Sequence, residues 1–282
     1  MELNDKVIIV TGGGSGIGAA LCERFAREQP LSLTIVDMSE ASAVRVAERI
    51  SDGHPALAVH PVGLDVTNES ELAGLIGATI ERDGQVDLFV GNAGIGTGAG
   101  VYADDSVWQR IIDVNVLAHV YASRALLPDW LERGEGRMVI TASAAGLLSN
   151  LGDAPYSVTK HGAVALAEWL SITYGDRGVT VSCLCPQGVR TPLLFPELAE
   201  GNGTPPLLPE DQLALEVVKA QRILEPSDVA ESVMEALADG RFLILPHAEV
   251  ADYEQARAND RERWLRSMRR IQAKLDEAAA GN

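Results

Sequence analysis

The chain has 282 residues, 46% hydrophobic and 22% charged. That is enough to bury a full core, and no long Pro/Ser-rich or charge-only linker divides it, which argues for one large α/β unit. Its 23 basic against 40 acidic residues leave a formal charge of −17, which repels nucleic-acid phosphates and anionic membrane surfaces. The opening MELNDKVIIVTGG lacks the basic and apolar regions of a secretory signal, and no apolar run approaches the ~20 residues of a membrane helix, so a cytoplasmic protein is expected.

A β-branched run after Lys6 breaks into glycines and continues as the helical pattern Ile17, Leu21, Phe25, which predicts strand, turn, helix. Gly12 permits the tight turn. Gly16 and Gly18 remove side chains that would block a pyrophosphate, and the N–H groups of the new helix face the phosphates. The spacing is one residue longer than the usual dinucleotide-binding fingerprint. The next strand, Leu31 to Asp37, ends in a carboxylate 19 residues after Gly18, about where an acidic residue hydrogen-bonds the adenosine ribose.

The alternation continues with a helix at Ser39 to Ile50 and a strand at Ala56 to Val62. A helix follows at Asn68 to Arg82, with Asn68 as cap and Glu71 three residues on, then a strand at Val86 to Val90. Strands alternating with helices imply a doubly wound parallel sheet with helices on both faces. Asp65-Val66 is able to contact an adenine, and Gly91-Asn92-Ala93-Gly94 lets backbone approach a ligand; each also reads as ordinary turn chemistry. A helix from Ser106 to Arg133 carries Asn115 in an apolar setting, where its amide must be satisfied by water or a neighbouring carbonyl.

Ser143 follows the run Met138 to Thr141 and projects from a strand tip, and Tyr156 and Lys160 share one helix face thirteen positions on. An ammonium beside the phenol favours the phenolate, drawing a group that titrates near ~10 toward the working range. The pair alone also reads as a tyrosine packed under a snorkelling lysine. His161 points about 100° away and is read as structural. The small residues Ala163, Ala165 and Ala167 suit packing on the sheet or the close approach of a helix partner. In the strand Val179 to Leu184 and just beyond it, Cys183 and Cys185 share a face as buried small hydrophobes; with Cys22 they lack metal-ligand spacing, so no metal is expected. A Pro- and Leu-rich stretch at about 190–220 sits where a substrate lid belongs, a helix starts at Pro226, and Phe242 to Leu245 reads as a last strand. Beyond 245, Trp264, Met268, Ile271 and Leu275 form an amphipathic stripe, expected to dock on the protein's own core or on a sister subunit.

Taken together these motifs resemble the short-chain dehydrogenase/reductase family over residues 1–245. Thr11-Gly-Gly-Gly-Ser-Gly-Ile-Gly18, Asp65-Val66, Asn92-Ala93-Gly94, Asn115, Ser143, Tyr156, Lys160 and Pro186-Gln-Gly-Val-Arg-Thr191 stand in the family's order and spacing. The resemblance implies a Rossmann fold, with 246–282 as a helical extension. It implies NAD held by Gly12, Ser15, Gly16, Ile17, Gly18, Asp37, Asp65, Val66, Asn92, Gly94, Tyr156, Lys160, Pro186, Val189 and Thr191. It also implies a catalytic tetrad of Asn115, Ser143, Tyr156 and Lys160, in which Asn115 helps seat a water that passes protons from the lysine. A homodimer or homotetramer is expected on the same ground. Two departures stand out: Gln187 replaces the glycine after Pro186, and Gly91 replaces the first asparagine of Asn-Asn-Ala-Gly.

The expected activity is hydride transfer between NAD and a secondary alcohol or ketone. Leu147, Leu148, Leu151, Leu193, Leu194 and Phe195 suggest an apolar substrate, up to steroid size. Asp37 disfavours the 2′-phosphate of NADP, and neither Gly13-Gly14-Ser15 nor Met38 offers a cation to neutralise one. The alternatives are a reductase of carrier- or CoA-linked β-ketoacyl groups and, in a different class, a non-catalytic dinucleotide-sensing regulator.

Overall fold

The computed structural model describes residues 2–198 and 222–280, with side chains as far as Glu277. Most of the expected lid, 199–221, lies outside the described residues.

Among the described residues, seven strands form one sheet: β1 (Val7–Thr11), β2 (Ser32–Asp37), β3 (Ala58–Gly63), β4 (Leu88–Gly91), β5 (Gly136–Thr141), β6 (Val179–Leu184) and β7 (Leu243–Ile244). Their order is β3-β2-β1-β4-β5-β6-β7, and every pairing is parallel. The strands are buried on both faces, so they read as continuous apolar runs rather than alternating ones. Alternate residues feed opposite layers. Val7 and Ile9 face α3 (Glu69–Asp83), α5 (Ala118–Arg133) and α6 (Ala154–Tyr174). Ile8 and Val10 face α1 (Gly16–Ala26), α2 (Glu40–Gly53) and α7 (Pro226–Asp239). The chain builds outward from β1 to β3, then crosses back to place β4 on the other side of β1. The loops leaving β1 and β4 therefore diverge and open a crevice at the carboxyl ends of the strands, where ligands of such sheets bind.

The helix expected from Ser106 to Arg133 is instead α4 (Asp105–Ile112), a π-helical turn at Asp113–Leu117, and α5. The turn admits one extra residue, which rotates α5 relative to α4. The last strand is shorter than the Phe242 to Leu245 expectation because only Cys183 and Leu184 of β6 pair with it. Asn68 caps α3, accepting from the Glu71 N–H at 3.2 Å.

After β7 the chain forms α8 (Glu249–Asn259) and α9 (Arg261–Ala280). Val250 is wholly buried in the layer under α3, α5 and α6, and Leu275 is buried as well. Arg257 on α8 donates to the Leu147 carbonyl, and its Nη2 lies 3.3 Å from His161 Nε2 on α6. The first helix of the extension, α8, thus docks on the protein's own core; in the stripe on α9 Trp264 and Met268 are half-buried, and Ile271 stays 37% exposed. Among the described residues, no helix is long and apolar enough to cross a membrane.

Candidate active site

The crevice begins at the β1–α1 turn. Gly12 has φ of +62°, and a Cβ there would lie 2.9 Å from the Ala93 Cα in the β4 loop, so only glycine lets the two loops meet. A Cβ on Gly18 would collide with the Gly12 carbonyl. Among the described residues the Ser15 side chain makes no capping hydrogen bond, which leaves the first-turn N–H groups of α1 for a ligand anion. Thr191 closes the other side, with its Cγ2 3.0 Å from where a Cβ on Gly16 would stand. Thr11, Asn92 and Thr141 tie the floor together: Thr11 Oγ1 accepts from Asn92 N, Asn92 Nδ2 donates to the carbonyls of Thr11 and Gly12, and Thr141 Oγ1 donates to Asn92 Oδ1. These features fit a dinucleotide: a cradle that side chains would fill, a bare helix start and an acidic residue at the next strand end.

That residue, Asp37, accepts from Gly14 N at 3.0 Å and Ser39 N at 2.9 Å, which fixes its carboxylate against the cradle. Val66 is buried. Its chain neighbour Asp65 is committed to Thr67 and to Arg110 Nη1 at 3.0 Å. Burial alone would raise its carboxyl, but the Thr67 and Arg110 hydrogen bonds outweigh that and hold it below the ordinary range. Arg110 also reaches Met38 Sδ at 3.7 Å. The fold brings Arg110 to Met38 from 72 positions away, and on the other side Arg45 Nη2 donates to Ser42 Oγ at 2.9 Å, beside the Gly14 position that the Asp37 carboxylate also borders.

At the opposite end, Ser143, Tyr156 and Lys160 converge. Ser143 sits just past β5, buried, its Oγ accepting from Ala145 N at 3.1 Å and donating to the Pro186 carbonyl at 3.4 Å, and its hydroxyl acts on Tyr156 to favour the phenolate. Pro186, at the end of the β6 loop, accepts from Ala144 N at 2.8 Å, which holds that loop against the Ser143 turn. Lys160 is 3% exposed; its Nζ donates to the Thr141 carbonyl at 2.9 Å and lies 5.5 Å from the Tyr156 ring centroid. A Cβ on Gly94 would stand 3.3 Å from that Nζ, so glycine keeps the lysine open to the crevice. The expected depression of the Tyr156 pKa is not what the protein groups produce by themselves. Burial pushes the phenol up to about 12, against the opposing pull of Ser143, and pushes Lys160 down to about 8. Desolvation outweighs the ammonium's attraction because both groups leave water together.

Asn115 stands in the π-helical turn. Its Oδ1 accepts from Ile95 N at 2.9 Å, and its Nδ2 donates to the Ile95 carbonyl and to Thr159 Oγ1. The amide joins the β4 loop to α6, so the requirement that it be satisfied is met by protein groups. Val189 pairs with Leu224 and accepts from Thr191 N at 2.8 Å, which shapes the loop after Pro186.

Both departures from the family pattern have local reasons. A Cβ on Gly91 would lie 2.5 Å from His119 Nδ1, so a buried histidine on α5 occupies the room an asparagine would take. Gln187 donates its N–H to His247 Nδ1 at 3.2 Å, and among the described residues only Asp5 and Gln29 are non-glycines with positive φ, so this position does not require glycine. Of the apolar residues expected around a substrate, Leu147 belongs to the core, whereas Leu148, Leu151, Leu194 and Phe195 are half-buried and Leu193 is exposed. Sequence reasoning also missed Asp153, whose carboxylate faces the turn after β4 and the start of α6.

Residues 6–200 match the sequence profile of the short chain dehydrogenase family. The chain is 34% identical over 252 residues to 2-(S)-hydroxypropyl-CoM dehydrogenase 3 of Xanthobacter autotrophicus, covering 89% of this chain and 96% of that protein. It is 32% identical over 192 residues to 3beta-hydroxysteroid dehydrogenase 2 of Eggerthella lenta, 67% of this chain and 73% of that one. A crystal structure of a short-chain dehydrogenase/reductase from Burkholderia phymatum in complex with NAD superposes with a TM-score of 0.82 at 31% identity, covering 93% of this chain and 96% of that one. Profile, relatives and fold agree, and the chain belongs to the short-chain dehydrogenase/reductase family of oxidoreductases.

Proposed function

We propose that this enzyme moves a hydride between NAD and a neutral, largely apolar secondary alcohol or its ketone. The observation that carries the reading is the convergence of Ser143, Tyr156 and Lys160 at the mouth of the glycine cradle, with Gly94 leaving the lysine open to it. When bound, the nicotinamide supplies the hydride acceptor or donor. Gly12, Ser15, Gly16, Ile17 and Gly18 would hold the pyrophosphate, Asp37 the adenosine ribose, Asp65 and Val66 the adenine side, and Asn92, Gly94, Pro186, Val189 and Thr191 the nicotinamide side. In oxidation, Tyr156 Oη takes the alcohol proton while Ser143 Oγ holds the alcohol oxygen in line. Lys160 would supply positive charge to the phenolate and a donor to the nicotinamide ribose. Asn115, held to Ile95 and Thr159, would support the water that returns the proton to solvent. Reduction of a ketone runs the same steps backward.

Leu148, Leu193, Leu194 and Phe195 would wall off water around the reacting carbon, and the relatives' names, a 3beta-hydroxysteroid and a 2-(S)-hydroxypropyl-CoM dehydrogenase, support an alcohol rather than a fixed substrate size. A carrier-borne ketoacyl group is the rival substrate, and the charge of −17 opposes docking of an acidic carrier. The enzyme is proposed to be cytoplasmic and to work as a homodimer or homotetramer, which size-exclusion chromatography with light scattering measures.

The deciding experiment follows absorbance of reduced nicotinamide across graded alcohols with NAD and NADP. Turnover of free secondary alcohols with NAD is expected. No turnover despite dinucleotide binding favours the sensing regulator, and turnover of a carrier-bound ketoacyl substrate alone favours the rival.

A further inference from the structure

Asp153 stands outside the tetrad, yet it is buried to 6% exposure at the N-terminus of the helix that carries Tyr156 and Lys160. Its four hydrogen bonds divide evenly. Oδ1 accepts from Thr97 Oγ1 at 2.8 Å and from Tyr156 N at 2.9 Å, while Oδ2 accepts from Thr97 N and Gly98 N, each at 2.7 Å. A neighbouring bond from Ala154 N to the Ala99 carbonyl at 2.9 Å completes the seam. The turn held in this way faces the reacting centre. A Cβ on Gly96 would meet Asp153 Oδ2, Leu193 Cδ1 and Tyr156 Cδ2 between 3.6 and 3.9 Å, so all three border the same space.

We propose that Asp153 is a positioning residue of this site: its carboxylate clasps the Thr97–Ala99 turn to the start of α6 and so sets the wall beside Tyr156 against which a substrate lies. This rests on the reading of Tyr156 as the proton-transfer group. With both oxygens doubly engaged, Asp153 is not a substrate ligand; it acts through what it holds. Only a carboxylate offers two acceptor oxygens to donors on two elements, since an asparagine would turn an NH₂ group toward either the Thr97 and Gly98 amides or the helix start. A second consequence is electrostatic. Asp153 Oδ2 and the Tyr156 ring edge border the same space at Gly96, Ser143 and the Cys185 thiol act on the phenol, and Lys160 Nζ lies 5.5 Å from the ring centroid; of these groups Asp153 is the carboxylate, and its charge opposes loss of the phenolic proton.

Asp153→Ser keeps a good helix cap while abandoning the turn, Asp153→Asn keeps the shape, and Thr97→Val removes a donor without touching α6. Amide exchange at residues 97–98 is expected to quicken at least ~10-fold in Asp153→Ser, and to a smaller extent in Thr97→Val, with the rest of the sheet unchanged. The ¹³Cζ resonance of Tyr156, assigned with Tyr156→Phe, should titrate at lower pH in both Asp153 variants. With an active enzyme, KM for bulky alcohols should rise ~10-fold or more while kcat changes less, and the pH profile of oxidation should move to lower pH. Unchanged exchange at 97–98 in Asp153→Ser and Thr97→Val, or a Tyr156 titration that stays where it was, overturns the proposal. Exchange and titration need neither cofactor nor substrate, so failure to turn over any alcohol would sink the proposed function and leave this inference to be judged on those two measurements.

Discussion

At the scale of single residues the site is expensive to build. Lys160 is buried with its pKa down to about 8, so it holds its proton more weakly folded than unfolded. Below about pH 8 the lysine is charged in both states, and the folded protein carries the full desolvation penalty. As pH rises toward the unfolded value near ~10.5 the penalty vanishes. Lys160→Met should therefore stabilise the fold by about 2–3 kcal/mol at pH 7 and by little above pH 10, read as Tm at the two pH values, while abolishing turnover. A variant less stable than the wild type at pH 7 would refute that account. Tyr156→Phe removes only the hydroxyl, so kcat should fall by ~10²–10⁴ or more while dinucleotide affinity stays nearly intact. Because the phenol lies at about 12 in the protein alone, oxidation should rise with pH between 7 and 10 while reduction stays level over the same range, the first needing the phenolate and the second the phenol. Asp37→Ala should narrow the NAD preference, and comparable kcat/KM for the two cofactors in the wild type would dismiss it. Tyr156, Lys160 and Asp37 were legible in the sequence because they sit at fixed offsets from strand ends. Asp153 and Arg110 were not, because their partners lie 56 and 45 positions away.

At the scale of elements, the β4–α5 contact shows how one substitution carries another. His119 is buried with Nε2 lacking a partner among the described residues, and burial followed by the Lys160 charge lowers its pKa to about 3. It fits because Gly91 has no side chain. Gly91→Ala should cost about 1–3 kcal/mol in chemical denaturation, and His119→Ala should recover part of that loss in the double variant. Additive losses would show that the two do not compete for space. The π-helical turn that holds Asn115 belongs to the same scale. Its residues carry no local mark, since the apolar spacing around Asn115 suits an unbroken helix equally well; the extra residue shows only once α4 and α5 must both pack and the amide must reach Ile95 and Thr159.

At the scale of the whole molecule, the C-terminal extension is joined to the site by Arg257. It donates to the carbonyl of Leu147, four residues past Ser143, and it stacks 5.4 Å from the Trp264 ring centroid. His161 lies 2.9 Å from the Ser157 carbonyl through Nδ1, which requires the proton there and leaves Nε2 to accept from Arg257. Arg257→Ala should lower stability by about 1–3 kcal/mol and reduce kcat, because the turn after Ser143 loses its outer support. Unchanged denaturation midpoint and kcat would mean that α8 and α9 merely cover the surface.

Chain order and hydrophobic period by themselves determined the parallel sheet, the glycine cradle, Asp37 at the end of β2 and the Tyr156–Lys160 pair, because each is marked by a pattern of residue types close in sequence. Tertiary structure alone decided what surrounds them. Burial, which depends on everything packed around Tyr156 and Lys160, raised the tyrosine pKa against the local expectation and lowered that of the lysine. Long-range packing placed Arg110 on Met38, His119 into the space at Gly91 and Asp153 across two elements, and no periodicity reports which distant residue will fill a given gap.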